Sequence, residues 1–183
     1  MARALLIIDF QNDFTPGGAL AVDDGDAIAP RIEQLARSGE FELVVATRDW
    51  HPPDHGSFTS RGGQWPVHCV QGTPGAELHP ALDRSLADVI VDKGQDPAAP
   101  GYSGFEATGL AELLREHAVE HVTVVGLATD YCVLNTALDA LRLGLGVTVD
   151  PTAVRPVELQ PGDGERALEQ MRAAGGSIAP HRD

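Results

Sequence analysis

The chain has 183 residues, 43% of them hydrophobic, with 13 basic against 27 acidic side chains and a formal charge of −14. That size fits one domain with a substantial core, spanning 1–183. The charge repels phosphate backbones and anionic bilayers, so neither nucleic acid nor membrane is an expected partner.

The N-terminal run Ala4-Leu5-Leu6-Ile7-Ile8 is too short for a secretory signal and closes on Asp9. No stretch approaches the roughly 18 apolar residues of a membrane span. Two cysteines, Cys69 and Cys132, are too few for a disulfide framework, so free thiols in a reducing cytoplasm are expected.

Residues 3–9 read as a buried strand, and residues 26–38 carry Ile28, Ile32 and Leu35 at helical spacing before Gly39. Residues 42–47 and 87–92 predict a second and third strand. Leu110, Leu113, Leu114 and Ala118 mark a helical face, and residues 121–126 a fourth strand. Leu134, Ala137, Leu138 and Leu141 mark the next helix, stopped by Gly144. A strand over 145–150, a helix over 164–174 and a short strand over 177–179 complete the chain. This alternation predicts a three-layer α/β/α fold around a six-stranded parallel sheet. Two long segments, 49–81 and 94–105, interrupt it, and loops of that length are usually functional or disordered. The first holds both tryptophans and four of the seven histidines, which argues against disorder.

Ligands of open parallel sheets bind at the carboxyl ends of the strands. There the sequence offers Asp9, Asp49, Lys93 and Thr129-Asp130-Tyr131-Cys132. Cys132 falls in a first helical turn, where free N–H groups and the helix dipole favour thiolate. A buried core cysteine is the plain alternative, as a cap is for Asp9 and a solvated ammonium for Lys93. Together the three supply base, cation and nucleophile. Asp49, His51, His55 and His68 form a second group suited to one divalent ion, Zn ahead of Fe or Mn. His79, His117, His121 and His181 read as surface or helix-end residues, and Cys69 as structural.

Several blocks resemble nicotinamidases of the isochorismatase-like hydrolase superfamily. These are Asp-Phe-Gln-Asn-Asp-Phe (9–14) followed by Pro-Gly-Gly-Ala-Leu-Ala-Val (16–22), Asp-Trp-His-Pro-Pro-Asp-His-Gly-Ser-Phe (49–58), Trp-Pro-Val-His-Cys-Val-Gln-Gly-Thr-Pro-Gly-Ala (65–76), Lys-Gly (93–94) with Tyr-Ser-Gly-Phe (102–105), and Gly-Leu-Ala-Thr-Asp-Tyr-Cys-Val (126–133). The resemblance implies the isochorismatase-like fold, an Asp9–Lys93–Cys132 triad and metal ligands Asp49, His51, His55 and His68. It also implies a cis peptide before Ala128, with the Ala128 and Cys132 N–H groups as oxyanion hole. Phe14 and Trp65 would sandwich a pyridine ring, with Tyr102 nearby. The implied substrate is nicotinamide, with pyrazinamide as an analogue, and a homo-oligomer is compatible with it. The rival is a superfamily amidase acting on a ureido or carbamoyl compound, which needs no ring-binding metal. From residue 151 onward the match weakens.

Overall fold

The structure, a computed structural model, describes residues 1–180; His181 lies outside them. Six strands form one parallel sheet: β1 (Ala2–Ile8), β2 (Leu43–Asp49), β3 (Val89–Lys93), β4 (Val119–Leu127), β5 (Gly146–Arg155) and β6 (Ser177–Ile178). Their spatial order is β3-β2-β1-β4-β5-β6. Helices α1 (Ala29–Ala36), α2 (Leu110–Glu116), α3 (Leu134–Arg142) and α4 (Asp163–Ala173) flank it.

β1 lies at the centre, which explains its unbroken apolar run. Ala4, Leu6 and Ile8 face a core built with Leu110, Leu114, Ala137, Ala140 and Met171 from α2, α3 and α4. Leu5 and Ile7 face the opposite core, with Ile32 of α1 and with Phe10, Phe14 and Cys69. A strand covered on both faces has no polar side to display. The second layer contains α1 and the long segment from residue 50 to 88, which forms only short 3₁₀ turns such as Pro74–Ala76 and Arg84–Leu86. No helix among the described residues is long and apolar enough to cross a membrane.

Three expectations shift. The helix expected over 26–38 divides into a 3₁₀ turn, Gly25–Ile28, and α1. Pro30 accounts for this, because a residue without N–H fits only the first turn of an α-helix. Ala118, expected on the α2 face, follows that helix in a left-handed conformation with φ 51°. The fifth strand runs to Arg155 rather than 150, because its register with β4 jumps: Val124 pairs with Val149, but Gly126 pairs with Val154. The extra residues of β5 bulge out and accommodate Pro151.

Between β1 and β4 the chain reverses its direction of growth across the sheet, leaving a crevice at their carboxyl ends. Gly126 closes β4 there with φ 111°, its Cα pressed against the backbone of Ile8 so that any Cβ would collide with it. Gly126→Ala should cost about 2–4 kcal/mol in urea unfolding. Gly109→Ala, where a Cβ meets open space, should stay within about 0.5 kcal/mol. Equal midpoints for the two variants would mean that the β1–β4 approach is not tight.

Candidate active site and metal centre

The crevice brings Asp9, Asp49, Lys93 and Cys132 together from four separate strand ends. Asp9 leaves β1 with φ 47°. Its N–H donates to the Thr47 carbonyl at 3.1 Å, and its Oδ1 accepts from the Thr47 hydroxyl at 2.7 Å. Asp49 and Lys93 are register partners on β2 and β3. The Lys93 Nζ therefore reaches Asp49 Oδ1 at 2.5 Å, Asp9 Oδ2 at 2.8 Å and the Gly101 carbonyl at 2.7 Å. It also lies 3.6 Å from Cys132 Sγ. All four side chains are buried.

Cys132 sits in a wide π-helical turn, Thr129–Val133, between β4 and α3, and the Leu127–Ala128 peptide is cis. Ligand atoms of Asp9, Asp49 and Cys132 lie within 4.8 Å of one another. Burial, the largest influence, pushes the Cys132 thiol well up, and Asp9 and Asp49 add to it while Lys93 opposes. Burial thus works against the helix-start argument for a resting thiolate, and a thiol so placed calls for a base beside it. Burial also raises the Asp9 carboxyl against the pull of Lys93. Asp49 differs. Burial would raise it too, but Lys93 and His51 hold it well below the usual carboxylate range. Lys93 stays charged because the two carboxylates outweigh the desolvation of its ammonium.

Beside this cluster lie the histidines. One ligand atom each from Asp49, His51 and His68 falls within 4.8 Å of the others. His51 Nδ1 contacts the Gly94 carbonyl and His68 Nδ1 the Pro66 carbonyl, both at 2.7 Å. A carbonyl can only accept, so Nδ1 carries a proton in both rings and Nε2 is the atom turned toward Asp49. Burial would lower His51, but Asp49 raises it, so its Nε2 becomes a ligand atom once its own proton is displaced. Gly94 holds φ 66°, and a Cβ there would strike the His51 ring. His55 lies outside the 4.8 Å group, yet its ring stacks on His51 with centroids 4.0 Å apart. Its Nδ1 meets the Ser57 hydroxyl at 2.7 Å, while its buried Nε2 has no hydrogen-bond partner among the described residues. Burial lowers both His55 and His68, which keeps them neutral. Three imidazoles and a carboxylate, one nitrogen orphaned, are donor types that suit a divalent metal, and Asp49, His51 and His68 are the three brought close enough together to share one.

Phe14, Trp65, Tyr102, Ala128 and Cys132 line one small cavity with Asp49, His51 and His68. The Trp65 Nε1–H donates to the Tyr102 hydroxyl at 3.0 Å. Tyr131, Leu20 and Val157 also line it and were not singled out from sequence. Tyr131 stands edge-on to Trp65, centroids 4.9 Å apart. Its place beside Cys132 was a signal, as was the place of Leu20 in the 16–22 block, whereas Val157 belongs to none of the blocks. Gln11 was missed as well. Its side chain accepts from the Asp49 N–H at 2.8 Å and donates to the Asp49 carbonyl at 2.9 Å and the Ala76 carbonyl at 2.8 Å. Cys69 is buried, thiol raised by desolvation, and donates its N–H to Asp13 at 2.7 Å, consistent with a structural part. His79, His117 and His121 stay away from the cavity; His121 Nε2 contacts the Thr148 hydroxyl at 2.9 Å.

The chain is 47% identical to the nicotinamidase/pyrazinamidase of Mycobacterium tuberculosis, covering 94% of this chain and 95% of that protein. Among solved structures it is similar to the pyrazinamidase of Pyrococcus horikoshii in complex with zinc: 48% identity, TM-score 0.90, covering 99% of this chain and 100% of that one. It is also similar to PnC1 from L. infantum in complex with nicotinate, at 36% identity and TM-score 0.92, covering 97% and 92%. An isochorismatase domain model matches residues 3–183, and with relatives this similar over nearly their whole length the chain belongs to the isochorismatase family.

Proposed function

We propose that this chain is a metal-dependent nicotinamidase that hydrolyses nicotinamide, and pyrazinamide as an analogue, to the carboxylate and ammonia. The observation that carries the reading is one cavity lined both by the Cys132 thiol and by Asp49, His51 and His68. The rival ureido or carbamoyl amidase has use for the thiol half alone. The M. tuberculosis relative bears the same activity in its name, and the L. infantum structure holds the acid product of such a reaction.

Asp9, with its raised pKa, takes the proton from Cys132 Sγ, and the sulfur attacks the carboxamide carbon. The oxyanion is met by the N–H groups of Ala128 and Cys132, donors worth roughly 3–4 kcal/mol each in other enzymes. Collapse breaks the C–N bond, and Asp9 returns its proton to the departing nitrogen as ammonia. Water then attacks the thioester; Asp9 accepts its proton, the carboxylic acid leaves and the thiol is restored. Lys93 holds Asp9 in place throughout and faces the developing thiolate. Phe14 and Trp65 flank the ring, with Tyr102 fixing Trp65 through its indole N–H.

Asp49, His51, His55 and His68 would hold one divalent ion, zinc by analogy with the P. horikoshii complex, and Fe or Mn suit the same donors. Such an ion supplies a Lewis-acid contact for the ring nitrogen.

Release of ammonia from nicotinamide is the direct test. Cys132→Ala should lower kcat/KM by at least about a thousandfold with circular dichroism and metal content unchanged, while Cys69→Ser stays active. A dead Cys69→Ser with an active Cys132→Ala would overturn the nucleophile assignment.

Benzamide tests the metal half, because it keeps the amide and ring but replaces the ring nitrogen with C–H. Sites built for a polar group reject analogues lacking it. We expect kcat/KM for benzamide at least about a hundredfold below nicotinamide, a gap that narrows after chelation. Elemental analysis should find one divalent ion per chain, lost in His51→Ala. Equal turnover of both amides by metal-loaded protein would leave a general amidase.

A further inference from the structure

The segment that follows β5 forms a wall of the cavity and is anchored by the nucleophile turn itself. Past the bulge, β5 pairs again with β4 as far as Leu127 opposite Arg155, so the chain leaves the sheet beside the cis peptide. The next residue, Pro156, has no N–H to offer. The two after it do, and both are taken by one side chain: Asp130 Oδ1 accepts from Val157 N–H at 2.8 Å and Oδ2 from Glu158 N–H at 3.0 Å. Glu158 then turns through φ 59°, and its carboxylate accepts from the N–H groups of Gly162 and, at 3.1 Å, Gly164 where α4 begins. Pro156 packs so closely on Gly164 that a Cβ there would strike its ring. The loop is tied at both ends, and Val157 is directed into the cavity beside Phe14, Leu20 and Ala128.

The geometry points to Val157 as a specificity-determining residue for the substrate ring, with Asp130 as the residue that positions it; this rests on the nicotinamidase reading above. Cys132 fixes where the amide carbon must lie, so the ring has one place to go and Val157 bounds it with an isopropyl group. A substituent on the ring would have to displace that group. The wall cannot yield easily, because moving it breaks two charge-assisted hydrogen bonds to Asp130. Asp130 does not line the cavity; it acts through the backbone of residues 157 and 158.

The test compares nicotinamide with a series of ring-methylated nicotinamides, using intact metal-loaded protein. In Val157→Ala, kcat/KM for at least one methylated substrate should rise at least about tenfold relative to nicotinamide, the scale of one methyl group in an apolar pocket. Val157→Leu should raise KM for nicotinamide with kcat retained. Asp130→Ala should shift the same ratio in the same direction, Asp130→Asn less, since it retains one accepting oxygen. Combining Asp130→Ala with Val157→Ala should add little, as expected for two residues on one path. A ratio unchanged across the series in Val157→Ala would overturn the wall. A ratio unmoved in Asp130→Ala, with kcat lowered equally for every substrate, would leave Asp130 a merely structural clip and overturn its positioning part. Wild-type protein that releases no ammonia from nicotinamide would instead sink the substrate reading, an outcome the unchanged ratio cannot mimic.

Discussion

The buried ammonium of Lys93 is the interaction on which the site depends. It has no exposure to water, and an isolated charge so placed would carry a desolvation penalty of several kcal/mol even after relaxation. Two carboxylates and a backbone carbonyl offset that penalty, with contacts of 2.5, 2.8 and 2.7 Å to Asp49, Asp9 and Gly101. The dependence is mutual. Without Lys93, Asp9 and Asp49 would be two like charges facing each other out of water, a situation that costs about 3–5 kcal/mol when a buried pair is broken. The same nitrogen joins the two halves of the site, since Asp9 belongs with the thiol and Asp49 with the histidines.

One cation between two carboxylates also separates their properties. Asp49 receives Lys93 at the shorter distance, has His51 Nε2 3.2 Å from its other oxygen, and remains ionised. Asp9 is more deeply desolvated, feels the charge of Asp49 and is raised. Environments that push paired titratable groups apart mark an assignment of roles: the raised member exchanges protons and the depressed one keeps its charge. In the proposed reading, the carboxyl on the thiol side is the base and the one on the histidine side a candidate metal ligand, a division that their positions beside Cys132 and beside His51 and His68 support.

How much of this is legible in the sequence depends on the range of the interaction. The strand ends were, because a strand covered on both faces is an apolar run that stops abruptly, and Asp9, Asp49, Lys93 and Cys132 stand at those stops. Asp49, His51 and His68, three of the four proposed metal ligands, lie together. The split of the first helix at Pro30 follows from local chemistry and could have been read. The extension of β5 could not, because a register jump between Val124 and Gly126 has no signature in either strand alone. Val157 was silent for a similar reason, as was the part played by Gln11, which stands in the 9–14 block with no sign there of its partners. Their effect lies in hydrogen bonds spanning 27 and 38 residues of chain, made to backbone groups that every residue possesses.

Those long-range bonds explain how a segment without regular structure can hold the histidines in place. Residues 50–88 lie where a helix would otherwise complete the second layer, and they have no helix of their own beyond single 3₁₀ turns. Order is supplied from β1 and the turn after it. Gln11 brackets Asp49 on both its N–H and its carbonyl and reaches on to Ala76; Asn12 donates to the Pro74 carbonyl at 2.8 Å; Asp13 receives the N–H of Cys69. Each bond is worth only about 1 kcal/mol net, but the buried backbone groups they satisfy would cost more if left alone. The turn that follows Asp9 therefore does more than present that carboxyl. By holding Asp49, Cys69 and residues 74–76 against the central strand, it positions the histidine-bearing loop relative to the thiol, so that both halves of the site are referred to β1.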